Sequence, residues 1–280
     1  MLRRKLQASD AAAGFRLTQQ YGWPHRLEDW QLLLTLGQGY AMQHDEQVIG
    51  TAMAWCWGDG HVSIGVVVID KAWQGRGIGK QLMQVLIADY PDAELRLHAT
   101  EQGAGLYRQL GFVRRGAVGQ HQTPCLPTIP YPRLPLGYQV ALATLDQQPQ
   151  LELLEHCATG FQRQTLYRYL LQSQRVFVLV DATGEIIGSL GCHRFGHGMS
   201  LGPCYSRDNA LIPLLIQAVL SQLEGGFVRL DVDEQYLSDE WLRQWNLQRV
   251  DTPEIMVRAG SFPSRSLSAY QVAVMTPALG

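Results

Sequence analysis

The chain has 280 residues, 46% of them hydrophobic, with a net charge of −2 at pH 7 and a pI near 6.4. That length accommodates two domains of ordinary size, and a mean hydropathy of −0.09 argues for packed cores rather than disorder. The charge provides no basic footprint for nucleic acid. No apolar run reaches the roughly 18 residues that a membrane span needs, and no apolar signal region follows the basic start Met1-Leu2-Arg3-Arg4-Lys5, so the expected location is cytoplasmic.

Five cysteines are present: Cys56, Cys125, Cys157, Cys192 and Cys204. An odd number without a CxxC pair argues against a disulfide framework and against a zinc site, leaving reduced thiols buried as small hydrophobes.

Taken in chain order, a first strand is expected over Arg4 to Gln7, followed by two helices. Their connection, Tyr21-Gly22-Trp23-Pro24-His25-Arg26-Leu27-Glu28-Asp29-Trp30, concentrates aromatic rings and carboxylates. Such a segment can wall a pocket for a cationic amine. It reads equally as a helix cap and hydrophobic staple, with Trp30 and Leu33 turned to the core. Asp45 to Gly50 has the pattern of a hairpin tip and second strand. A β-rich run, Val62 to Ile69, then leads into Gln74-Gly75-Arg76-Gly77-Ile78-Gly79 and an amphipathic helix over Ile78 to Asp89.

A glycine-rich turn between strand and helix aims backbone N–H groups from the positive helix end at whatever lies in front, a setting suited to a pyrophosphate. Gly75, Gly77 and Gly79 are expected to free the backbone for positive φ and close approach. The turn contains no GxxxxGK[ST], and its spacing is not the GxGxxG of dinucleotide folds. Taken alone, it also fits a plain flexible turn.

Further on stands Leu106-Tyr107-Arg108-Gln109-Leu110-Gly111-Phe112. The succession strand, Q-x-x-G-x-G, helix, strand and LYxxLGF over residues 1–122 resembles the GNAT family, the Gcn5-related N-acetyltransferases. The resemblance implies an α+β fold of two tandem GNAT-like domains, each a mixed twisted sheet flanked by helices. It implies acetyl-CoA as cosubstrate, with the pyrophosphate on the backbone of Gln74, Gly75, Arg76, Gly77, Ile78, Gly79 and Lys80. The acetyl-pantetheine arm would lie along Val67, Val68 and Ile69. A β-bulge near Gly65 to Val68 would splay the strands to admit it, and Val113 to Gln122 would close the sheet.

The second half repeats the first. The two copies are offset by 138 residues at the hairpin (Gly50 against Gly188), by 137 at Ser63 against Ser200, and by 134 at the helix (Ile78 against Ile212). The residues lost between the last two points belong to the glycine-rich turn. Ser206-Arg207-Asp208-Asn209 stands there instead, and Leu242 stands where Tyr107 would be. The expected organisation is a catalytic domain at 1–122, a proline-rich linker at 123–137, a degenerate GNAT-like domain at 138–260 and a tail at 261–280. The degenerate domain would complete the acceptor cleft or an oligomer interface, with a homodimer as the candidate assembly.

Acetyl transfer to an amine requires a proton to leave the amine, charge on the thioester oxygen to be stabilised, and the departing sulfur to be protonated. The resemblance assigns the oxygen to a backbone N–H within Val66 to Val68. It assigns the sulfur to Tyr107, whose phenol with an ordinary pKa of about 10 is protonated at neutral pH. Packing under the pantetheine arm is the plainer role for this ring. Candidates for the base are Glu101, His98, Asp29 and His121. The fold implied by the resemblance places the acceptor, a small-molecule amine, near Trp23, His25, Asp29, Trp30 and His121. His193 and His197 have the i, i+4 spacing of a helical metal site, but glycines around them indicate strand and turn, so no metal is expected. A non-catalytic acyl-CoA-binding regulatory or scaffold protein is the alternative reading.

Overall fold

The computed structural model describes residues 1–223, 225–233, 235–258 and 268–280. They form two compact units: 1–115, 255–258 and 278–280 in the first, and residues within 116–254 and 268–277 in the second.

In the first unit, β1 (Leu2–Lys5) is followed by α1 (Ala11–Gln19) and α2 (Leu27–Leu36). An antiparallel meander comes next: β2 (Gln38–His44), which also pairs with β1, then β3 (Gln47–Cys56) and β4 (His61–Ile69). Helix α3 (Ile78–Ala88) crosses to β5 (Glu94–Ala99), which runs parallel to β4, and α4 (Glu101–Gln109) follows. Helix α3 forms because Ile78, Leu82, Met83 and Leu86 recur at helical spacing and are all buried. Helix α4 starts where the Thr100 hydroxyl accepts from Gly103 N (3.3 Å). It ends before Gly111, whose φ of +85° breaks the helix. Between α3 and the sheet lies a core built from Val62, Ile64, Met83, Leu86, Leu95, Leu97, Tyr107 and Phe112.

In the second unit, the order recurs. After β6 (Val113–Thr123) come β7 (Gln139–Leu142), α5 (Gln148–Thr159) and α6 (Gln164–Ser173). The meander is β8 (Arg175–Val180), β9 (Ile186–Phe195) and β10 (Gly198–Ser206), with α7 (Ile212–Leu220) and β11 (Val228–Asp233) after it. Helix α8 (Asp239–Gln244), β12 (Gln248–Asp251), β13 (Glu254–Arg258) and β14 (Tyr270–Ala273) complete the chain.

Three expectations are corrected. The first concerns the closing strand: from Gly116 onward β6 lies in the second unit, where His121 stands opposite Leu230 of β11. Residues 255–258 of β13 take its place beside β5 in the first unit, and Met256, 0% exposed, packs into that unit's core. A strand's local pattern specifies which face is buried, not which edge it will find.

The second concerns the proline-rich stretch, which is a strap on the second unit rather than a free connector. Leu126 and Ile129 are buried in its core, and Leu126 exchanges backbone hydrogen bonds with Gly226 (2.9 Å) and Gly225 (3.0 Å). Prolines stripped of their N–H leave few donors to satisfy, so such a segment can lie on a core without a ladder.

The third concerns the cysteines. Cys192 and Cys204 are buried, but Cys56 and Cys125 are exposed. Of the expected tail, residues 261–267 lie outside the described residues, as do 259 and 260 of the preceding domain; β14 belongs to the second unit and 278–280 to the first. Among the described residues, no helix is long and apolar enough to cross a membrane.

Candidate active site

Strand β4 carries the site. Its first half pairs with β5 on one side, His61 to Ile64 against Glu94 to Leu97, and with β3 on the other. Its second half keeps only β3: among the described residues no strand takes the other edge of Val66 to Ile69. The register against β3 slips there, with Gly65 opposite Met53 but Val68 opposite Thr51, so one extra residue is inserted in β4. The bulge expected near Gly65 to Val68 is therefore present. Val66 adopts φ +42°, an outlier for a β-branched side chain. The Thr51 hydroxyl donates to Val66 O (2.8 Å) and holds it. The result is a splayed strand with backbone amides at an open edge.

The face of β4 turned away from α3 is closed just before the bulge. Ser63 Oγ accepts from Trp57 Nε1 (2.9 Å) and donates to Leu279 O (3.0 Å). A Cβ on Gly65 would lie 2.7 Å from Ala278 Cα, so Gly65 is needed for that close approach.

The turn after β4 has the geometry of an anion cradle. Gly75 (φ +73°) and Gly77 (φ +74°) are left-handed and exposed, and a Cβ on either would meet nothing within 4 Å. Gly77 caps α3, whose first i to i−4 bond is from Gln81 N, so the N–H groups of Ile78, Gly79 and Lys80 precede the ladder. Gly79 departs from expectation. It lies inside the helix with no positive φ, and a Cβ there would make an ordinary contact, 3.5 Å from Leu106 Cδ2. Arg76 stacks over the Trp73 ring (4.5 Å).

Tyr107 stands on the inner face of α4, 8% exposed, edge-on to Phe112 (6.0 Å) and in the same apolar cluster as Ile64 and Val67. The Gly103 position lets the ring lie close, since a Cβ there would be 3.1 Å from Tyr107 Cε2. Burial pushes its phenol well above the ordinary value. Its hydroxyl has no hydrogen-bond partner among the described residues.

The predicted acceptor residues divide. Trp23 and His25 are half-buried and stand in a row of mutually tilted rings with Tyr21 and Trp30, at 5.9 to 6.4 Å between ring centroids. Trp30 itself is 0% exposed and donates to Thr18 Oγ1 (3.2 Å). Asp29 accepts from Arg26 N (2.8 Å) and pairs with the Arg26 guanidinium (2.7 Å), capping α2. Asp29 therefore serves the cap and Trp30 the core, which leaves Trp23 and His25 as the half-buried members of the row. His121 is on β6, away from the aromatic segment in sequence. It lies in the second unit, 3% exposed, its Nδ1 against Gly119 O (2.9 Å) and its Nε2 accepting from Arg249 Nε (3.4 Å). His193 is in strand β9, and His197 in the turn after it stands edge-on to Phe227.

Tyr21 is the residue that sequence reading passed over, although it heads the aromatic segment. Its hydroxyl donates to Ile69 O (2.5 Å) at the end of β4 and accepts from Gln74 Nε2 (2.6 Å).

The second unit has the same strand but not the same opening. β10 runs parallel to β11 through Met199 to Leu201, then pairs antiparallel with β14 through Cys204 to Ser206. The chain itself fills the edge that β4 leaves open. At the following turn, the Asp208 carboxylate accepts from Ala210 N (2.9 Å), so a negative charge stands before α7.

Family models described as acetyltransferase (GNAT) domains match residues 36–114 and 151–271. The uncharacterized N-acetyltransferase YitH of Bacillus subtilis is 23% identical over 282 residues, covering 99% of this chain and 97% of that one. Among solved structures, a Pyrococcus horikoshii protein assigned as an acetyltransferase aligns over 100% of this chain and 95% of its own, at 18% identity and TM-score 0.78. A tandem GNAT protein from the clavulanic acid biosynthesis pathway aligns over 94% of this chain and 99% of its own, at 16% identity and TM-score 0.64.

Proposed function

Because both halves of this chain belong to the Gcn5-related N-acetyltransferase family, we propose that the first unit carries the activity and transfers an acetyl group from acetyl-CoA to a small-molecule amine, by direct attack in a ternary complex. One observation supports this most. The open, bulged edge at Val66 to Ile69 is followed by a turn with clear space at Gly75 and Gly77, and the corresponding edge of the second unit is taken by β14.

Acetyl-CoA supplies the acetyl thioester; the chain binds and polarises it. The amides of Gly75 to Lys80 hold the pyrophosphate, with the glycines admitting it to backbone distance. The backbone of Val67, Val68 and Ile69 takes the pantetheine amides as a neighbouring strand would. An N–H within Val66 to Val68 donates to the thioester oxygen as charge develops there. Tyr107 is protonated in the resting site, because its burial disfavours phenolate; it donates that proton to the departing sulfur as the C–S bond breaks, the newly acylated nitrogen gives up its own proton to water, and the phenol is reprotonated from solvent. Trp23 and His25 face the amine.

The test is CoA thiol release on a panel of small amines, beside calorimetry with acetyl-CoA. Turnover with one acetyl-CoA bound per chain is expected. Binding without release on any amine would favour an acyl-CoA-binding protein that does no chemistry.

A further inference from the structure

The segment between α1 and α2 and the glycine-rich turn are far apart in sequence, yet one hydroxyl joins them. Tyr21 Oη donates to the carbonyl of Ile69, the last residue of the splayed strand, at 2.5 Å. It accepts from the side-chain amide of Gln74, the first residue of the glycine string, at 2.6 Å. A single oxygen therefore fixes both ends of the connection that carries Asp70 to Trp73. The same connection is gripped beside it. The Asp70 carboxylate accepts from Arg16 Nη1 (3.0 Å), Gln20 Nε2 (2.9 Å) and Ala72 N (3.1 Å), and Lys71 N donates to Gln20 Oε1 (3.0 Å). The Lys71 ammonium lies over the Tyr21 ring, 5.3 Å from its centroid.

The chemistry of the Tyr21 bridge differs from that of the Asp70 cluster. Asp70 ties the end of helix α1 to the start of the connection. Tyr21 reaches past it to Gln74, adjoining the two left-handed glycines that have no side chains to hold them. A turn whose ligand-facing atoms are backbone N–H groups can bind an anion tightly only if those groups are already aimed, because ordering them on binding would consume the gain. Tyr21 also begins the aromatic row that continues into Trp23 and His25.

We propose that Tyr21 is a positioning residue for the acetyl-CoA turn: its hydroxyl presets the Gln74–Gly77 backbone and couples it to the Trp23–His25 wall. The inference rests on the reading that acetyl-CoA binds at this turn.

The experiment is a double-mutant cycle on the full chain, with acetyl-CoA titrated by calorimetry and melting temperature followed in parallel. Tyr21→Phe keeps the ring and its stacking and removes only the bridge. Gln74→Met removes the other end. Each single variant should bind acetyl-CoA about tenfold more weakly, and the pair should bind no more weakly than either alone, since both break the same link. A merely structural role would lower the melting temperature and leave the affinity within twofold, which overturns the proposal. Additive losses would also overturn it, because they would mean the two side chains act separately. No acetyl-CoA binding by the unaltered chain is a different result: it removes the reading of the site itself, and the proposal with it.

Discussion

The three glycines of the turn look alike in sequence but should respond differently to alanine. Gly77 has φ +74° and open space at its Cβ position. Alanine there meets no clash, but the left-handed backbone costs about 1–2 kcal/mol. A narrower unfolded ensemble returns about 0.4–1 kcal/mol. The net loss is at most about 1.6 kcal/mol, a fall of a few degrees at roughly 2–4 °C per kcal/mol. Gly79 is helical, and its Cβ would touch Leu106 Cδ2 at an ordinary 3.5 Å. Gly79→Ala should therefore gain up to about 1 kcal/mol of helix propensity. Binding separates the ligand's path from these stability effects. Gly77→Glu places a carboxylate where the pyrophosphate would sit and should weaken acetyl-CoA at least tenfold, about 1.4 kcal/mol, while the fold survives. Calorimetry and thermal unfolding read the two quantities independently. An affinity within twofold for Gly77→Glu would refute the placement of the pyrophosphate, whatever the melting temperatures show.

Tyr107→Phe should lower kcat by roughly 10²-fold, the scale of lost proton donation, with acetyl-CoA affinity nearly unchanged; a loss confined to KM would make the ring a packing residue. Because burial holds the Tyr107 proton, the pH–rate profile should show no alkaline fall from tyrosine ionisation up to the ordinary phenol value of about 10. Around Asp70, burial raises the carboxyl, but hydrogen bonds from Gln20, Ala72 and Arg16 outweigh it and the net shift is downward. A lowered folded value contributes stability above the unfolded value near 3.8 and loses it as pH falls through the folded one. Asp70→Asn should therefore cost stability at pH 6 and progressively less below about pH 4, as melting curves would show. In the second unit, Glu155 accepts from Arg163 Nε (2.5 Å) and Tyr205 Oη (2.6 Å), all three fully buried. Glu155→Leu takes the carboxylate away from a buried guanidinium and should cost about 3–5 kcal/mol; an unchanged melting temperature would contradict that.

What was legible in the sequence was local. The glycine string, LYxxLGF and the bulged valine run each depend on neighbours a few residues away, and the structure puts the turn and the bulge where they were expected. Asp29 and Trp30 were ambiguous for a physical reason. A carboxylate three residues after a cap and an aromatic one position later make a helix start as readily as a cation pocket, and only burial decides. The closing strand was misassigned because strand pairing is non-local: an alternating strand after Phe112 can join either sheet, and the pairing of His121 with Leu230 settles which. Tyr21 was hidden because its partners are a backbone carbonyl and an amide that carry no sequence signature of a bridge.

The two units also differ in how they treat corresponding strand edges. An unpaired edge leaves N–H and C=O groups unsatisfied, and proteins ordinarily cover such edges. The second unit covers the one on β10 with its own residues 270–273, and it places Asp208 at the turn that follows. Nothing comparable lies along Val66 to Ile69 among the described residues, although Val66 and Val68 are themselves buried. Residues 255–258 serve β5, not this edge. On the proposed reading, a duplicated fold that seals one copy and keeps the other open, with a residue at φ +42° in the opening, keeps that edge for a ligand that pairs as a strand does. A pantetheine arm, with its two amides, has that form. The same reasoning fixes the expected stoichiometry at one acetyl-CoA per chain. Two bound molecules by calorimetry would require β14 to leave β10, and protection of the Tyr270–Ala273 amides from hydrogen exchange in the presence of acetyl-CoA would exclude that.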